Sequence, residues 1–323
     1  MNAPSKAALH VTEQVFSSFD GTALFYRAWH PGAPQTRALA LFHGGHEHSG
    51  RFDELARELI RPDVSVFAWD ARGHGRSPGK RGYARHFMDF VRDAEAFIAH
   101  LGQAYGIRRD EIVVLGHSVG SVILSTWLLD YAPPVRGAVL GSPAFHVKLY
   151  LPFALPALRL WQQLRPDSYV NSYVRPGMLT HDEEEARSRR MDSLISPKIA
   201  VRVLTSLFDT ADRVITNAPH IHTPILLLSA GSDWVVHRRA QLRFFDGLGS
   251  ARKDLITYEG FYHEIFHEKD RERAICAARA FVQKCFEAPR PTRPRRPQKP
   301  TGSGSNNSGG SCLFCTPSVW GWQ

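Results

Sequence analysis

Apolar residues fall in short runs broken by glycine and proline, and the polar stretches between them carry apolar residues at helical spacing. Runs at 11–17, 23–29, 37–42, 64–69, 111–115, 135–140, 224–230 and 254–258 predict eight strands. The first two flank Asp20-Gly21, which predicts an antiparallel hairpin. Phe52, Leu55, Ala56 and Leu59 predict one helix between strands. Phe87, Phe90, Val91, Ala94, Phe97, Ile98 and Leu101 mark the buried stripe of another. Strands alternating with helices predict an α/β architecture: a mostly parallel eight-stranded sheet with helices on both faces.

One segment breaks the alternation. Residues 144–219 separate two strands by far more chain than a crossover needs. They predict a cap inserted over the carboxyl edge of the sheet, where ligands bind in such folds. The main domain is then 1–143 with 220–287. The cap opens on an apolar stretch in which Leu149, Phe153, Leu155 and Trp161 are candidates for substrate contact. Pro152, Pro156 and Arg159 interrupt it, and it is too short to span a bilayer. Three roles fit: lining an acyl tunnel, peripheral contact with a membrane interface, or ordinary packing of the cap onto the main domain.

The chain has 323 residues, 43% of them hydrophobic, enough for one large core or for one core plus a subdomain. Its formal net charge is +9. Residues 288–323 hold five basic side chains and no acidic one, so +4 remains for residues 1–287. The basicity therefore belongs to a Pro/Arg and Gly/Ser tail expected to be disordered, and no nucleic-acid partner is expected. Cys276 and Cys285 read as buried or half-buried thiols, and Cys312 and Cys315 form an isolated Cys-x-x-Cys in the tail. Neither a signal core at the N-terminus nor a membrane-spanning run is visible, which gives the expectation of a cytoplasmic protein.

The most informative chemistry lies between the fifth strand and the helix that follows. Gly116-His-Ser-Val-Gly120 puts Ser118 on a turn so tight that its neighbours must lack side chains. A serine hydroxyl needs a base, usually a histidine oriented by a carboxylate. In chain order after Ser118, Asp233 follows the seventh strand and His263 follows the eighth. His237 is too near Asp233 in sequence to fold back easily, and His267 lies one helical turn past His263. A tetrahedral oxyanion needs two donors, for which the Val119 and Gly45 amides are the candidates. His43, His46 and His48 match no metal-binding helical spacing and read as loop-stabilising. Asp70, Arg72 and His74 read as a braced turn. No metal or cofactor is called for.

His43-Gly-Gly-His-Glu-His-Ser-Gly-Arg-Phe52, the Asp70-x-Arg-Gly-His-Gly-x-Ser77 loop, the Ser118 turn, Gly231-Ser-Asp-Trp-Val-Val236 and Phe261-Tyr-His-Glu264 together resemble the monoacylglycerol lipase/lysophospholipase group of α/β-hydrolases, over about residues 10–286. The chain also resembles bacterial hydrolase domains that are fused to a methyltransferase. The resemblance implies the α/β-hydrolase fold and a serine esterase acting on single-chain lipid esters, with the lipid entrance in the cap. A proline iminopeptidase-like aminopeptidase shares fold and triad, and a non-catalytic lipid-binding module is the remaining alternative.

Overall fold

The computed structural model describes residues 9–32 and 35–290, which form one compact unit. The expected disordered tail, with Cys312 and Cys315, lies from residue 291 onward outside the described residues. In chain order the first elements are β1 (Leu9–Ser17), β2 (Ala23–Pro31), β3 (Arg37–Phe42), α1 (Asp53–Leu59), β4 (Val64–Trp69), α2 (Phe87–Tyr105), β5 (Ile112–His117), α3 (Val119–Tyr131) and β6 (Gly137–Gly141). An insertion follows with α4 (Ala154–Leu164), β7 (Tyr169–Asn171), α5 (Glu183–Met191), β8 (Lys198–Ala200) and α6 (Val201–Thr216). β9 (Ile225–Ala230), α7 (Arg238–Gly247), β10 (Lys253–Tyr258) and α8 (Glu272–Glu287) complete the chain.

The eight-stranded sheet has the order β1-β2-β4-β3-β5-β6-β9-β10. β1 and β2 form the expected hairpin, β2 is antiparallel to β4, and every later pairing is parallel. Successive side chains on a strand point to opposite faces, so the central strands feed two cores at once. On β3, Ala38, Ala40 and Phe42 join Trp69, Phe97 and Trp127 beneath α2 and α3. Leu39 and Leu41 join Leu115, Ile275 and Phe281 beneath α1 and α8. Because the central strands are parallel, β3, β5, β9 and β10 all end on one edge, and the loops leaving that edge carry Gly45, Ser118, Asp233 and His263.

The insertion is not uniform. β7 and β8 form a small antiparallel pair of their own. α6 buries Val203, Leu207, Ala211 and Val214 in the main core. α4, by contrast, has no fully buried residue, although Ala154, Leu155 and Leu158 are half-buried. Cys285 is buried but Cys276 is exposed, correcting the expectation for the latter, because Cys276 falls on the outer face of α8. Among the described residues, no helix is long and apolar enough to cross a membrane.

The turn between β5 and α3 depends on two absent side chains. A Cβ on Gly116 would stand 2.7 Å from the Gly120 carbonyl, and a Cβ on Gly120 would collide with the Phe42 carbonyl on β3. Both obstacles are backbone and cannot rotate away. Gly120→Ala is therefore expected to destabilise the fold by about 2 kcal/mol or more, read as a lower urea midpoint. An unchanged midpoint would contradict the packing described for this turn.

Candidate active site

Ser118 is the hinge between strand and helix, with φ 51° and ψ −114°. A non-glycine residue there carries strain on the order of 1–3 kcal/mol. The surroundings impose it: the Ser118 N–H donates to the Gly141 carbonyl at 2.8 Å, and the Ser118 carbonyl accepts from Ala144 at 3.1 Å. With its backbone fixed, the side chain emerges at the sheet edge.

His263 and Asp233 meet it there. The Ser118 hydroxyl donates to His263 Nε2 at 2.8 Å, and His263 Nδ1–H donates to Asp233 Oδ2 at 2.8 Å. The second oxygen, Oδ1, accepts from the Val235 and Val236 amides at 2.7 and 2.9 Å, which locks the carboxylate in orientation. Burial alone would raise the Asp233 pKa. The charge and hydrogen bond of His263 and the two amides outweigh it, so the carboxyl lies below its ordinary range. Burial would likewise depress His263, but Asp233, then Glu264 and Glu47, hold it above the ordinary 6.5. The rival histidines are engaged elsewhere. His267 Nε2–H donates to the Arg51 carbonyl at 2.8 Å while its Nδ1 faces Glu264 at 3.2 Å, and His237 flanks α7 beside the His146 ring.

Val119 is the first residue of α3, so its N–H has no intrahelical acceptor. Gly45 lies against it: a Cβ on Gly45 would touch Val119 Cγ2 at 3.2 Å. The loop carrying Gly45 is held by His43, whose Nε2 accepts from the Ala71 amide at 3.0 Å and whose Nδ1–H donates to the Gly44 carbonyl at 2.7 Å. His48 accepts from Gly50 through Nδ1 and meets Asp192 through Nε2 at 2.8 Å. The two rings are thus spent on loop geometry. Asp70 closes its turn by accepting from the Ser49 and Arg76 amides at 2.6 and 2.7 Å. Arg72 pairs with Asp93, and burial drives His74 down to about 3, which keeps it neutral.

Behind the triad lies a buried set of charges. Glu47, His117 and Glu264 converge closely enough to hold a cation. One is already supplied by the protein, because the Arg189 guanidinium from α5 pairs with Glu47 and reaches Glu264 at 3.5 Å. A resident metal is not needed to balance these carboxylates.

Ser118 opens into a cavity of about 930 Å³ whose remaining walls come largely from the insertion. Leu149 and Trp161 line it; Phe153 and Leu155 do not. The reason is helical phase. Ala154, Ala157, Leu158 and Trp161 share the cavity face of α4, whereas Leu155 lies off that stripe and Phe153 precedes the helix in a left-handed conformation, 83% exposed. Both instead line a separate depression of about 220 Å³.

Known proteins decide the kinship. The family model described as "Serine aminopeptidase, S33" matches residues 33–270. Human monoglyceride lipase is 30% identical over 254 residues, covering 77% of this chain and 82% of that protein. The chain belongs to the monoacylglycerol lipase-like α/β-hydrolases. Protein YnbC of Escherichia coli is 45% identical over 277 residues, covering 85% of this chain, which spans 47% of that relative's length. The solved monoacylglycerol lipase of Paleococcus ferrophilus superposes with a TM-score of 0.73 at 24% identity, over 86% of this chain and 99% of that one, and supports the fold.

The pairing of Arg189 with Glu47 and Glu264 was invisible in the sequence, because the partners lie 142 and 75 residues away and no motif singles Arg189 out among the charges of α5. The raised His263 pKa has a direct test by histidine NMR. The wild-type His263 ring is expected to titrate above 6.5, and Asp233→Asn should move it downward, because burial then opposes the charged form with less to offset it. Identical titration in both proteins would refute the electrostatic coupling.

Proposed function

We propose that the chain is a serine carboxylic-ester hydrolase acting on single-chain lipid esters of the monoacylglycerol or lysophospholipid type. The observation that carries this reading is the Ser118–His263–Asp233 relay opening into a deep, largely apolar cavity. Ser118 Oγ attacks the ester carbonyl as its proton passes to His263 Nε2, and the Val119 and Gly45 amides receive the oxyanion. The imidazolium then protonates the departing alcohol, leaving an acyl-serine. Water, deprotonated by His263, attacks this ester and releases the fatty acid and free Ser118. The reaction needs no metal or cofactor.

The cavity supports a long acyl chain. Its volume is at the upper end for small-molecule sites, and the apolar face of α4 forms one wall. Leu151 on its wall and Phe153 and Leu164 off it are 75%, 83% and 72% exposed, apolar surface that favours peripheral contact with a lipid surface. Such contact would deliver substrate directly to the cavity mouth.

Ser118→Ala is expected to lower ester turnover by roughly 10⁴-fold or more, measured with a soluble ester on protein of unchanged circular dichroism. Retained turnover would remove Ser118 from the chemistry. The acyl site is tested by chain length. Each buried methylene contributes up to about 0.8 kcal/mol, so two added carbons could raise kcat/KM by roughly tenfold until the cavity fills. Substrate must be kept below its micelle threshold. Leu158→Asp, on the cavity face of α4, should flatten this dependence while sparing acetate esters. Indifference to chain length, with ready hydrolysis of aminoacyl amides, would favour the aminopeptidase instead.

A further inference from the structure

The insertion does more than roof the cavity. Its 179–196 segment is bonded to the two loops that present the reacting groups. Toward the His263 loop, the Leu179 carbonyl accepts from the Glu264 amide at 2.8 Å, and Thr180 Oγ1 donates to the His267 carbonyl at 2.8 Å. Toward the Gly45 loop, Glu185 pairs with Arg51 at 2.6 Å and Asp192 with His48 at 2.8 Å. One side chain, Arg189, reaches both loops together: it pairs with Glu47, two residues from Gly45, and with Glu264, beside His263.

Several charges surround Arg189: Asp192 lies near it and is answered by His48 and Arg51, and Arg51 also acts on His267. Glu47 and Glu264 are the anions it pairs with. His267 has a carbonyl at one ring nitrogen and a carboxylate at the other, so both nitrogens must carry protons to be satisfied, and Glu264 raises its pKa accordingly. Arg189 and the His267 imidazolium therefore balance the two carboxylates. His117 stays neutral under burial and donates Nε2–H to the His263 carbonyl at 3.1 Å. From the far side, Asp233 and Ser118 bond the His263 ring, and the Lys148 ammonium donates to the Asp233 carbonyl. Breaking a buried pair by removing one partner is costly because the other charge is stranded.

We infer that Arg189 is a positioning residue for catalysis: its guanidinium, reaching in from the insertion, clamps the Gly45 and His263 loops in register and offsets the negative charge beside the base. The inference rests on the proposed serine hydrolase reading. If the wild type turns over no ester, that reading fails; if it is active, the Arg189 variants decide the present point.

Arg189→Met keeps the length of the side chain and removes its charge. Its kcat on a short soluble ester is expected to fall by roughly 30-fold or more with KM within about threefold, since the loops shift while Arg189 is only one of many residues on the cavity wall and the apolar face of α4 is untouched. The acid limb of kcat/KM should move to higher pH, because uncompensated carboxylates favour the His263 imidazolium. Arg189→Lys should recover part of kcat and return the acid limb toward wild type. A purely structural role would lower the melting temperature and leave the acid limb of the folded fraction in place. Should Arg189→Met fail to fold, Glu47→Gln supplies the complementary test. It retains shape, removes an anion, and should lower kcat while moving the acid limb to lower pH. Kinetics of a folded Arg189→Met within about twofold of wild type, with an unmoved acid limb, overturn the inference. So does the same result from Glu47→Gln.

Discussion

The backbone of Ser118 is held where a serine does not rest by preference, and the geometry of the site follows from that. Its φ of 51° is sustained because β5 and α3 are each fixed by burial, and because Gly116 and Gly120 let them meet with a single residue between. The strain is small against the apolar surface buried on either side of the sheet. It delivers a hydroxyl at the strand end together with the unpaired amide of the next residue. Relaxing the turn would lose both, which explains why two of its neighbours are glycines backed directly by backbone.

Electrostatics around His263 obey the same economy of placement. Asp233 holds the ring's tautomer and is itself held by two amides, so burial, which would neutralise each partner alone, leaves an oriented pair. Further out, Glu47 and Glu264 bring negative charge close to the imidazole, and Arg189 with His267 answers it. The neutralising guanidinium comes from the insertion, so the segment that walls the cavity also reaches the carboxylate beside His263. The cavity wall and the charge set beside His263 are thereby joined through one stretch of chain.

Much of this was legible in the sequence, for reasons that differ from residue to residue. Eight strands announced themselves because buried parallel strands are continuous apolar runs. Ser118, Asp233 and His263 stood out as candidates because each follows a strand in the order Ser, Asp, His. The geometry joins all three, and Gly45 lies against Val119. The insertion was harder to read. α4 is apolar on several sides, so spacing alone did not say which face meets the cavity, and Phe153 and Leu155 were assigned to it with Leu149 and Trp161. The three-residue strands β7 and β8 are too short to show alternation. Arg189 sits among other charged residues of α5 and is set apart only by its fold-distant partners.

The central claim is that Ser118 is a nucleophile activated by His263. Intact-protein mass spectrometry after treatment with a fluorophosphonate, followed by peptide mapping, tests it most directly. The account predicts a single adduct on Ser118 in the wild type and very slow labelling in His263→Ala. No adduct on a folded wild-type protein, or equal labelling with and without the His263 imidazole, would contradict it.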